Sequence, residues 1–401
     1  MRRKTSKYGI VFYNKGKKGG AERRYYNLIC ELAKNQHVYL LANSSLLEHW
    51  SNLGGFNGNI ISHCLEDDTT YKNQTNTDTL PVNKSIPKRS VLVKIKRLIP
   101  GRTRSFFIDI QNLVKLNIIV FKWAKFNQLT HINTIQGSGI LSVFSKFLGC
   151  KLIFSYVDYM VQNGYPFKWI QNQGLKTTIK ISNQFDFLSE MIPERMLKKG
   201  LKLNQSKINV APVSFTDYSR FHIKLPKKPI IVFSGRFEQI KNPILALKVA
   251  KELVLLNNTF QLKMIGYGSC EKELQDFTNK NNLNNWVKIF SSDTIEDELS
   301  DALIFLSLQK ENNYPSQALL EAMASGCIPI VTDVGETRNL INETNGFLVH
   351  ENVEEIVGVI RQILDNQRQF EKKGFDIREQ TIKKFSIDTY LDYYHTLFAK
   401  A

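Results

Sequence analysis

Cysteines are few, and none has the spacing that would give it chemistry. Cys30, Cys64, Cys150, Cys270 and Cys327 are scattered along 401 residues with no C-x-x-C pair. That excludes a disulfide framework and a thiolate zinc site, and it predicts reduced thiols in a cytoplasmic protein. Seven histidines occur without an H-E-x-x-H arrangement, and no Asp-x-Asp run appears, so a metal site has no support. A serine hydrolase is excluded by the lack of a G-x-S-x-G elbow. Long hydrophobic runs are missing too. The best, Leu116 to Phe126, is interrupted by Lys122 and Lys125 and is too short to span a bilayer. The opening MRRKTSKYGIVFYNKGKK begins with charges, but its apolar run is too short for a signal peptide. Membrane contact, if it occurs, is therefore expected to be peripheral.

What the chain does have is size and an uneven charge. At 401 residues it exceeds one hydrophobic core and predicts two domains. Its net charge of +17 is concentrated in one half. Residues 1–210 hold 32 Lys/Arg and 12 Asp/Glu, whereas residues 211–401 hold 22 and 25. A field of that size attracts phosphates, nucleic acid or an anionic bilayer. No nucleic-acid module accompanies it, so nucleic acid is not an expected partner. Its densest part, NKSIPKRSVLVKIKRLIPGRTR at 83–104, interleaves apolar residues with eight basic ones. That segment reads either as a surface that meets lipid headgroups or as a solvated loop leading into a helix.

Short β-rich runs alternate with helix-period segments almost from end to end, the pattern of parallel sheets covered by helices. Strands are predicted at 8–13, 37–42, 130–134, 152–156, 185–189 and 208–211, giving a first domain over 1–215. The polar stretch 65–90 reads as an insertion. Leu225 to Pro229 reads as a linker, and a second domain follows over 225–385 with strands at 230–234, 262–265, 287–290, 303–306 and 328–331.

The most informative stretch is FLSLQKENNYPSQALLEAMASGCIPIVT at 305–332. Pro315 and Ser316 predict a helix start, Gly326 its stop, and Ile328 to Val331 a buried strand. A helix N-terminus beside a strand end is an anion site, and Glu321, about one and a half turns along, can reach hydroxyls without repelling phosphates. Arg236 and Lys241 lie just past a strand end, at the carboxyl edge where α/β ligands bind. Gly19 and Gly20 precede a helix and permit close backbone approach. The spacing KGKKGGAE fails the G-x-G-x-x-G fingerprint, which disfavours a nicotinamide enzyme.

Four blocks in this order, GGAE at 19–22, FSGRFEQIKNP with Gly235, MIGYGSCEKEL with Gly266 and Gly268, and the 305–332 stretch, resemble glycosyltransferase family 4. The resemblance implies an α/β GT-B fold with two facing Rossmann-like domains and a last helix, 386–401, that crosses back to the first. It implies a retaining, metal-independent hexosyltransferase with no cofactor, acting in bacterial surface-polysaccharide synthesis. Its donor would be a nucleotide sugar and its acceptor a glycan or lipid-linked glycan, with contact at the inner face of the cytoplasmic membrane. Arg236 and Lys241 are then expected to offset charge on the leaving diphosphate and Glu321 to bind ribose. Gly19, Gly20, Asp158, Gly235, Gly266, Asn312, Asn313, Tyr314 and Ser316 are expected to line the substrates. The chain departs from the family pattern at Asn313, where a glutamate is usual, and at Val157, where a histidine is. His131 is an alternative histidine partner. A nucleotide-sugar epimerase of the same architecture and a non-catalytic nucleotide- or glycan-binding relative stay open.

Overall fold

The computed structural model describes residues 7–14, 20–56, 58–65, 101–157, 171–212, 218–312 and 314–401. The chain forms two compact units, residues 1–211 with 394–401 and residues 212–393.

The first unit runs β1 (Tyr8–Phe12), α1 (Gly20–Asn35), β2 (Val38–Ala42), α2 (Ser44–Asn52), β3 (Ile60–Cys64), α3 (Gly101–Phe126) and β4 (His131–Ile135). A 3-10 segment (Gln136–Leu148) follows, then β5 (Lys151–Tyr156), α4 (Gln171–Ile181), β6 (Gln184–Phe187), α5 (Met191–Lys198) and β7 (Ile208–Val210). All strands pair in parallel, in the order β3-β2-β1-β4-β5-β6-β7. The sheet is covered on both faces, so its central strands are buried on both sides rather than alternating between core and solvent. Val11, Tyr13, Tyr39 and Leu41 pack in one cluster with residues of α3, the 136–148 segment and α4. Phe12, pointing the other way, meets Tyr25 of α1 and Trp50 of α2.

The second unit runs β8 (Lys228–Ser234), α6 (Pro243–Leu255), β9 (Gln261–Ile265), α7 (Glu271–Lys280), β10 (Val287–Phe290), α8 (Ile295–Ser300) and β11 (Ala302–Ser307). It continues through α9 (Gln317–Ala324), β12 (Ile328–Thr332), β13 (Phe347–Val349), α10 (Val353–Asp365) and α11 (Gln367–Lys384). Its strand order is β10-β9-β8-β11-β12-β13, again all parallel. Pro243 opens α6, where a missing N–H costs nothing, and the Asn352 side chain caps α10 by accepting from Glu355 N at 2.9 Å.

α12 (Ile387–Lys400) follows, and its final residues belong with the first unit. There the Phe398 ring lies 4.4 Å from that of Tyr8, and Asn133 Nδ2 donates to the Tyr394 hydroxyl. Asn133 Oδ1 accepts from Ser155 Oγ at 2.9 Å, and the same hydroxyl reaches Asp186 at 2.6 Å. This buried polar row is internally bonded, which is what makes its burial tolerable.

Two sequence expectations change. β3 and β13 were not foreseen. Leu225 to Pro229 is no linker, because the chain divides at Ala211 and Pro212 and Lys227 is only 2% exposed. Lys227 Nζ donates to Ser300 O at 2.8 Å and Ser325 O at 2.7 Å, closing the carbonyl ends of α8 and α9. The expected insertion at 65–90 lies outside the described residues apart from Leu65.

Candidate functional site

In the second sheet the chain leaves β8 toward β9 and leaves β11 toward β12, so the loops that follow these neighbouring strands diverge. That switch point is where open α/β sheets bind ligands, outside the carboxyl ends of the strands. β8 leads into Gly235 and Arg236, and β11 leads into the turn before α9.

The loop after β8 is fixed by its neighbours. Gly235 N donates to Ile265 O at 3.0 Å, Phe237 N to Tyr267 O at 2.8 Å, and Cys270 N returns to Phe237 O at 2.8 Å. On the other side Lys310 N donates to Ile240 O at 2.9 Å. Such close lacing needs glycine. A Cβ on Gly266 would sit 1.9 Å from Gly235 O, and one on Gly268 would sit 2.5 Å from Phe237 O.

This rigid loop presents two cations. Arg236 is exposed and Lys241 half-buried. Burial first, and the neighbouring Arg236 charge second, push the Lys241 ammonium down to about 8. Several cations elsewhere in the unit are paired, as in Arg220–Glu296, Lys228–Asp301 and Lys263–Glu298. Among the described residues no carboxylate lies within ion-pair distance of Arg236 or Lys241. Two like charges held together without a counter-ion make a site for an anion.

The depressed value gives a pH dependence with a definite sign. Below about pH 8 Lys241 is charged with or without ligand, and affinity for a nucleoside diphosphate stays flat. Above it, binding must take up a proton, and Kd rises by up to about tenfold per pH unit until the ligand-bound lysine also deprotonates. Folding responds the opposite way: the charge on Lys241 opposes folding below pH 8, and that penalty fades between about 8 and 10.5. Calorimetric titrations from pH 7 to 10 should show the rise in wild type and a weak, flat profile in Lys241→Met.

The second element is α9. Ser316 precedes it with an extended backbone and no side-chain cap, so the first-turn N–H groups are not closed by that hydroxyl. Glu321, in its second turn, is 4% exposed. The far end of α9 is held by cations: Lys227 on Ser325 O, and Arg378 Nη1 donating to Ala324 O.

Asn312 has a local task. Its Oδ1 accepts from Glu336 N at 3.1 Å and Tyr314 N at 3.3 Å, while Nδ2 donates to Glu336 Oε2 at 3.3 Å. It thus ties the loop after β11 to the loop after β12. Tyr314 is half-buried against the core of the unit. Gly19, Asp158 and Asn313 lie outside the described residues, as does most of 83–104.

In the first unit the switch point falls between β1 and β4. Gly20 opens α1 there. Tyr13 N donates to Ser138 Oγ at 2.8 Å, Asn14 N to Asn43 Oδ1 at 2.8 Å, and Asn14 Nδ2 to the buried Glu22 Oε1 at 2.5 Å. Asn14, Asn43 and Ser138 were missed from sequence; the available signal was their position, each within three residues of a strand end. His131 is a correction. It begins β4, at the sheet edge opposite the switch point, bonded to Thr130 Oγ1 and packed on Tyr8 and Phe398. Burial holds its imidazole below the usual range.

Comparison with known proteins agrees with this fold. Residues 215–384 match the family described as glycosyl transferases group 1. The whole chain has the GT-B fold, two Rossmann-like parallel-sheet domains. A glycosyltransferase from Rickettsia africae is similar in structure at 15% identity, with all of both chains covered and a TM-score of 0.71. HepE from Anabaena, solved with UDP and glucose, is similar at 12% identity over 98% of this chain and 99% of that one, with a TM-score of 0.69. Sucrose-phosphate synthase from Thermosynechococcus elongatus is similar at 15% identity over 99% and 100%, with a TM-score of 0.67. No curated protein matches the chain by sequence.

Proposed function

We propose that the protein is a retaining hexosyltransferase that moves a sugar from a nucleoside-diphosphate donor to a hydroxyl of a growing glycan. The observation that carries this reading is the pair of cations, Arg236 and Lys241, that have no counter-ion among the described residues and stand at the switch point of the unit that matches group 1 glycosyl transferases. A nucleoside diphosphate supplies the missing anion. As the bond from the sugar's anomeric carbon to the diphosphate oxygen breaks, negative charge accumulates on that oxygen, and Arg236 and Lys241 offset it. The acceptor hydroxyl attacks the same face of the sugar and passes its proton to the departing phosphate, so no protein nucleophile is required. Glu321 accepts hydrogen bonds from the ribose hydroxyls. Gly235 and Gly266 allow the backbone to approach the diphosphate. The two side chains take the part a divalent metal plays elsewhere, so donor binding is expected to survive EDTA. That HepE has been solved with UDP-glucose supports a donor of this class.

The acceptor is a glycan carried on a lipid in bacterial capsular, exopolysaccharide or lipopolysaccharide synthesis. Among the described residues no helix is long and apolar enough to cross a membrane, and the basic first half supports peripheral contact with an anionic inner leaflet. A panel of UDP-, GDP- and ADP-sugars, assayed for thermal stabilisation with EDTA present, tests the donor. At 100 times Kd one of them should stabilise by about 2.7 kcal/mol. No shift with any of the panel at millimolar concentration would remove the reading.

A further inference from the structure

Charge in the first unit is not spread over both faces of the sheet. The layer formed by α3, the 136–148 segment, α4 and α5 carries five bases in α3, one in 136–148, two in α4 and two in α5, against the acids Asp109 and Glu194. On the opposite face α1 and α2 together hold three acids and three bases.

The outer side of that basic layer is also apolar. Ile108, Val114, Ile118 and Phe126 of α3 are exposed, alongside exposed Lys115, Lys122 and Lys125. At 100° per residue these positions fall in one stripe of about 120°, and Asp109 falls outside it. Asn117, on the inward side of α3, fixes the neighbouring segment by donating to Ile140 O at 2.9 Å and accepting from Phe144 N. Beyond that anchor Phe147 stands 83% exposed, its ring 6.4 Å from that of Phe144. Lys176 and Lys180 of α4 extend the positive surface.

We infer that this face, the α3 stripe with Phe147 and the α4 lysines, docks on an anionic lipid bilayer. Exposed aliphatic and aromatic side chains flanked by lysines match the boundary between headgroups and acyl chains, where the apolar groups insert and the ammonium groups meet phosphate. A soluble polyanion would use the lysines but leave the apolar stripe in water. A protein partner with an acidic surface would need an apolar counterpart, whereas anionic lipid supplies both chemistries at once. The assignment rests on the lipid-linked acceptor proposed above and makes no use of the donor site.

The test is co-sedimentation of the full chain with phosphatidylcholine vesicles, with and without phosphatidylglycerol, at low salt. Wild type should bind only the anionic vesicles. The variants K115E/K122E/K125E and I118S/F147S, all at exposed positions, should each lower the bound fraction by about tenfold or more. Both should keep the thermal shift given by the nucleotide sugar. Three results overturn the inference: no binding of wild type, binding by both variants equal to wild type, or loss in the charge variant alone together with equal retention of wild type on heparin. The last would make the face a surface for soluble polyanions. If the nucleotide shift is absent while vesicle binding follows the expected pattern, the donor reading fails and this face stands.

Discussion

Arg236→Ala and Lys241→Ala should each lower sugar transfer by about 10²–10³-fold, the usual effect of removing one preorganised group that stabilises developing negative charge. The loss should appear in kcat as well as KM, because charge on the diphosphate is greatest as the glycosidic bond breaks. The fold should be indifferent. Arg236 is exposed, and Lys241 contributes a half-buried charge that opposes folding at neutral pH, so Lys241→Ala is expected to leave the melting temperature unchanged or slightly raised. Steady-state kinetics with the donor found in the panel, beside thermal unfolding of each variant, checks both parts. Near-normal turnover in both variants would defeat the assignment of the site.

Gly266→Ala should be nearly as damaging, for a reason unrelated to charge. The new methyl would lie 1.9 Å from Gly235 O, at a backbone angle of +153° that side chains rarely adopt. The atom in the way is backbone, so relief requires the Gly235 peptide to move, and the next residue is Arg236. The expected result is a destabilisation of about 4 kcal/mol or more and loss of nucleotide-induced stabilisation. Gly358→Ala is the matched control, because a Cβ there meets nothing within 4 Å inside α10. It should be neutral or stabilise by about 0.5–1 kcal/mol. Equal melting temperatures for the two variants would show that the glycine turn is not the tight junction described.

The sequence revealed those parts of the fold whose cause is local. β2 and β11 are buried at every position and read as uninterrupted apolar runs. β3 was missed because its sequence IISHC has only a two-residue apolar run and is half-exposed at a sheet edge, and β13 because it has three residues. The segment around Pro226 resembled a linker by composition. Lys227 is nonetheless buried, because its acceptors lie 73 and 98 residues further along the chain. At the site, Arg236 and Lys241 were legible because strand followed by turn fixes the sheet edge they occupy. Asn312 was not: its partner Glu336 comes from the next strand's loop, 24 residues away. The charge imbalance between the halves was visible from counting. Which face of the sheet carries it depends on helix placement, which composition does not encode.

Everything in the functional account depends on Arg236 and Lys241 binding a nucleoside diphosphate as one anion site. Isothermal titration of the nucleoside diphosphate whose sugar gives the largest thermal shift, into wild type and Arg236→Ala/Lys241→Ala at pH 7, measures that directly. The account predicts single-site binding in wild type and a loss of affinity of about 150-fold or more in the double variant, the worth of two charge-assisted contacts. Equal dissociation constants for the two proteins would contradict it.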